Sequence, residues 1–112
     1  ERRIKQLQRV LLAERVNCDA WAPDGSPALV DAGIEAAERK ALRNFDLKSF
    51  SERERAALKY AEGLVGSGQV DDAVFDELKT QFSEPEIVEL GYAVSVQNGA
   101  SRVFRSLLKS AE

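Results

Sequence analysis

The chain has 112 residues, 44% of them hydrophobic and 31% charged, which is enough for one core and too few for two. Its net charge is −3 with both signs spread along the chain, so there is no basic stripe for phosphates, and nucleic acid is not an expected partner. No apolar run can span a bilayer, histidine is absent and Cys18 stands alone, which excludes a Ser-His-Asp triad, a histidine-based metal site and an internal disulfide.

Ile4, Leu7, Val10, Leu11 and Leu12 recur at helical spacing with charges between them, so residues 3–16 are expected to be a helix. This charged opening lacks the pattern of a secretory leader, and a lone cysteine suits a reducing compartment; a cytoplasmic location is therefore expected. Pro23, Asp24 and Gly25 signal a turn, after which Ser26 reads as an N-cap and Pro27 as a first helical residue. The short helix of residues 28–32 should stop at Gly33, a natural left-handed cap. Residues 35–43 suggest another short helix, and residues 44–50 a connector.

The second half is more strongly punctuated. Ser51 and Glu54 have the spacing of a capping box, opening a helix that buries Ala57, Leu58, Ala61, Leu64 and Val65 and ends near Gly66. Asp71 is expected to cap the next helix, with Val70 and Phe75 closing a hydrophobic staple across it. Ser83 and Glu86 form a second capping box, with Phe82 and Ile87 as its staple. Asn98-Gly99 is an ordinary stop signal, yet Val103, Phe104, Leu107 and Leu108 continue the apolar stripe, so one long helix is expected. No segment alternates at a period of two residues. The expected fold is all-α, a single domain over residues 1–112 with about six helices.

Two segments resemble the carboxymuconolactone decarboxylase family, in its alkylhydroperoxidase D-like branch. The first is the run Phe50-Ser51-Glu52-Arg53-Glu54 with Ala56, Ala57, Leu58, Ala61 and Glu62. The second begins at Val70 and holds Phe75-Asp76-Glu77-Leu78 and Phe82-Ser83-Glu84-Pro85-Glu86-Ile87, then Asn98 and Arg102, which match the family's N-x-x-x-R. Together they cover roughly the last 60 residues. The family's redox motif is C-x-x-C-x-x-x-H, followed by a leucine and a glycine. In the matching frame stand Cys18, Trp21 and Gly25, followed by Leu29 and Gly33. An insertion near Pro23 would instead make Cys18 the second cysteine. Gln6 lies near the place of the family's acidic residue.

The resemblance implies an alkylhydroperoxidase D-like helical bundle, a homo-oligomer with no cofactor or metal, and a thiol peroxidase chemistry that these residues carry only in part. In dithiol chemistry a thiolate becomes a sulfenic acid, and a second cysteine condenses with it to a disulfide. With Trp21 in the partner's place, turnover would be one-cysteine chemistry at Cys18, restored by an external thiol reductant. Glu14 is a candidate proton relay beside Cys18, against the reading of a solvated helix-face charge, and Arg15 is a candidate charge neighbour for the thiolate. Trp21, Asn98 and Arg102 are expected to be structural or interface residues. The expected function is a peroxidase-type oxidoreductase with a degenerate site, its activity weak or lost. The alternatives are a non-catalytic oligomeric binding or interaction protein of the same fold, and a decarboxylase-like enzyme using Arg15 or Arg102 as the cation for a carboxylate.

Overall fold

The first apolar stripe folds as α1 (Arg2–Arg15) in the computed structural model, which describes residues 2–15, 27–66 and 68–110. Among the described residues five helices follow it: α2 (Pro27–Asp31), α3 (Ala36–Arg43), α4 (Glu52–Gly66), α5 (Asp72–Gln81) and α6 (Glu84–Ser110). No strand occurs among the described residues, so the architecture is all-α.

Local chemistry sets the helix ends. Glu54 N–H donates to Ser51 Oγ at 3.1 Å while Ser51 N–H donates to the Glu54 carboxylate at 3.0 Å, which closes the first capping box and opens α4. The same reciprocal pair joins Ser83 and Glu86 at the start of α6, with Phe82 and Ile87 buried in one apolar cluster across the cap. The cap of α5 differs from expectation. Asp71 makes no side-chain cap bond, and Phe75 turns outward beneath the Lys79 ammonium while Val70 packs inward, so that staple does not close.

Two helices end in the same left-handed device. Gly33 has φ +75°, with Ile34 N–H donating to Leu29 O and Gly33 N–H to Val30 O. Phe45 repeats it at the end of α3 with φ +53°, Asp46 N–H donating to Ala41 O and Phe45 N–H to Leu42 O. A phenylalanine there costs about 1 kcal/mol of backbone strain, offset by the packing of its ring on the core.

α1 is the hub. It packs on α3, α4 and α6, and its Leu7, Val10, Leu11 and Leu12 are fully buried. They form one apolar cluster with Leu42, Leu58 and Val94 from the surrounding helices. A second cluster joins Ile4 to Tyr60, Leu78, Phe82, Ile87 and Leu90, tying α4, α5 and α6 together at the other end. Tyr60 lies close over α6 at Gly91, where an added Cβ would stand 2.6 Å from the Tyr60 hydroxyl oxygen. α6 continues unbroken through Asn98 and Gly99; its 27 residues span about 40 Å, close to the 44 Å long dimension of the molecule.

Candidate functional site

The carboxyl end of α1 carries Glu14 and Arg15, the charged residues that precede the candidate thiol by about one turn. Cys18 and Trp21 themselves lie outside the described residues. Glu14 projects from the last turn of α1 toward α3, where the Arg39 Nε donates to it at 2.9 Å and the Arg43 Nε at 3.0 Å. Arg39 and Arg43 are one turn apart, so one helix face presents both guanidiniums to a single carboxylate. The Glu14 side chain is 9% exposed and that of Arg39 4%. The reading of Glu14 as a solvated surface charge is therefore corrected: it is a nearly buried anion paired with Arg39 and Arg43.

The hydrogen bond from Arg43 holds the Glu14 carboxyl below its ordinary range, with Arg39 adding to the effect and outweighing the upward push of burial. A carboxylate stabilised by two cations is a poor proton acceptor at neutral pH, since base strength falls with pKa. The same cluster fastens α3 to the end of α1.

Arg15 also has a structural engagement. Its guanidinium grips both oxygens of Glu62 on α4, with Nε at 2.7 Å from the nearer one, and its charge lies 5.7 Å from the centre of the left-handed Phe45 ring. The last turn of α1 is thus held on two sides, by α3 through Glu14 and by α4 through Arg15. A third ionic group works at the other end, where Arg3 bonds both Glu38 and Glu54 and links α1 to α3 and α4.

Asn98 and Arg102 meet as their spacing suggests: the Arg102 Nε donates to Asn98 Oδ1 at 3.0 Å, one turn apart on α6. Neither is brought together with Glu14 by any described hydrogen bond or ion pair. Gln6 is half-buried on α1, whereas Gln8, which the sequence reading did not single out, is fully buried and donates to Ala57 O of α4 at 3.0 Å. Among the described residues no group of three or more Cys, Asp or Glu side chains could hold a metal ion, and no helix is long and apolar enough to cross a membrane.

The other conspicuous surface is apolar. On α6 the side chains of Val88 and Tyr92 are 70% and 73% exposed, and Val96, Val103 and Leu107 follow along the helix, each more than half exposed. A cleft of about 620 Å³ opens beside the start of this row, lined by Phe75, Pro85, Ile87 and Val88 with Lys79 and Glu84 at its edge.

No protein-family model, curated protein or solved structure matches the chain.

Proposed function

We propose that this chain is an alkylhydroperoxidase D-like protein of the carboxymuconolactone decarboxylase type, with a degenerate one-cysteine site whose peroxidase activity is weak or lost. The observation that carries this reading is the engagement of Glu14. The one carboxylate placed a turn before Cys18 is held by Arg39 and Arg43, where it serves as an anchor between helices and not as a proton relay. Arg15 is gripped by Glu62, so its charge is already compensated. With no histidine in the chain, the side chain that most often takes a thiol's proton is missing.

The test is peroxide consumption by the whole chain with dithiothreitol as external reductant, beside Cys18→Ser. The expected result is the same slow rate for both proteins. Turnover that saturates with peroxide and disappears in Cys18→Ser would establish a working thiol peroxidase.

A second reading is favoured by the exposed row on α6. The domain acts by association, as an oligomeric binding or interaction protein in the cytoplasm, and its working surface is that helix face. Single apolar side chains at a surface are ordinary; five in register along one helix mark a contact surface.

A further inference from the structure

We infer that α6 is the seam of an antiparallel homodimer, in which the Tyr92 ring of each copy covers Gly99 of the other. This rests on the interaction reading above and names its partner as a second copy of this chain.

α6 has two apolar faces. At 100° per residue, Ile87, Leu90, Val94 and Ser101, which are buried against the body, group around one direction. Val88, Tyr92, Val96, Val103 and Leu107 fall within an arc of about 100° centred on the opposite side, and Gly99 lies inside that arc. The exposed row is therefore a second stripe as regular as the first. The five side chains of the row offer roughly 550 Å² of surface, toward the upper end of what a monomer leaves uncovered. Two such faces in contact bury roughly 1,100 Å², just above the roughly 1,000 Å² that a specific interface should clear.

Three features select a second copy, running the other way. Glu84 stands at the start of α6 and Arg102 near its end, so antiparallel approach brings these two opposite charges together and parallel approach does not. Glu84 and Arg102 share one flank of the row, and a two-fold axis between Ser95 and Val96 sets them about 8 Å apart along the helix, within reach of two long side chains. The same axis places Tyr92 opposite Gly99 and Val88 opposite Val103. Gly99 sits in the middle of a helix where glycine is disfavoured, and among the described residues nothing lies within 4 Å of the place a Cβ would take. Its described surroundings give no reason for a glycine; a large ring laid over the helix backbone from outside does. Finally, the axis carries Leu107 of one copy to the cleft beside Phe75 and Pro85 of the other.

The test is sedimentation and directed cross-linking of the full chain. Wild type should sediment at twice its 12.4 kDa mass at tens of micromolar. Tyr92→Lys should sediment as a monomer with an unchanged helical circular dichroism spectrum. In a Cys18→Ser background, Val96→Cys should form a disulfide-linked dimer under mild oxidation and Val88→Cys should not, because the axis brings the two 96 positions together and separates the two 88 positions by about 22 Å. A monomer at these concentrations, or Val88→Cys linking as readily as Val96→Cys, overturns the antiparallel seam. A monomer that binds another protein through α6 would retract the self-pairing alone. A dimer with Cys18-dependent peroxide turnover would retain the seam and retract the loss of thiol chemistry.

Discussion

Glu14 shows how a single residue can look alike in two different roles. In the sequence it is one charge among many on an amphipathic helix; its partners Arg39 and Arg43 lie 25 and 29 residues away, beyond the reach of any local pattern. Removing the carboxylate takes an ion-pair partner from the nearly buried Arg39, so Glu14→Ala should cost about 3 kcal/mol in urea unfolding. The sign of the pH dependence follows from the lowered pKa. The unfolded chain takes up a proton near the ordinary value of 4.5 and the folded chain only below it, so the stabilisation is complete above that pH and is lost as pH falls through the folded value. Urea midpoints of wild type and Glu14→Gln should therefore converge as pH falls below about 4.5. The acid dependence left in the variant belongs in part to Glu86, held low by the Ser83 amide, and to Glu54, where the Ser51 amide and Arg3 outweigh burial. A second single-residue test concerns Gly91. Gly91→Ala should destabilise by about 1–3 kcal/mol, because its Cβ meets the Tyr60 hydroxyl. In a Tyr60→Phe background the same change should be close to neutral, the clashing oxygen being gone; equal costs in both backgrounds would disprove this packing.

At the scale of elements, the parts of the fold that were legible are those written in consecutive residues. The boxes at Ser51 and Ser83 announce α4 and α6 because cap and partner lie three residues apart, and Ser83→Ala should cost about 1 kcal/mol in thermal unfolding. Gly33 announces the end of α2 for the same reason. Phe45 closes α3 with the same geometry and gives no such notice, since no aromatic side chain prefers a left-handed backbone; its position follows from ring packing and from Arg15. Asp71 and Phe75 mislead in the opposite direction, with the right residues at the right spacing and neither the cap bond nor the staple formed. The long span of α6 was legible because its stripe resumes after Gly99. Which of its apolar residues face the body was not, because the helix carries two stripes and periodicity alone does not rank them. Gly99→Ala separates their roles: it should raise the helix stability of the subunit by about 1 kcal/mol and weaken the proposed self-association, as measured by thermal unfolding and sedimentation of the same sample. A variant stabilised with no change in association would argue against a ring seated on Gly99.

The whole molecule is organised around α1, a helix so fully packed that its charged end is committed to neighbouring helices. The three ionic groups, at Arg3, Glu14 and Arg15, each join α1 to α3, α4 or both. They consume the charges that the sequence offered as candidates for activating Cys18. The fold class could be read in advance; the candidate site was legible only as residue types, because their pairings depend on how separate helices meet. What α1 leaves undone, α6 does, presenting a long apolar face away from the core. If the proposed function holds, the scaffold persists without an activated thiol. The rate of Cys18 alkylation by iodoacetamide in the native chain, followed against pH, tests this most directly. A thiol that reacts slowly at pH 7 and gains reactivity only toward about pH 8.5, or that stays unreactive until the chain unfolds, is expected. Rapid alkylation at pH 6 to 7, with an apparent pKa below about 7, would contradict it and restore Cys18 as a catalytic residue.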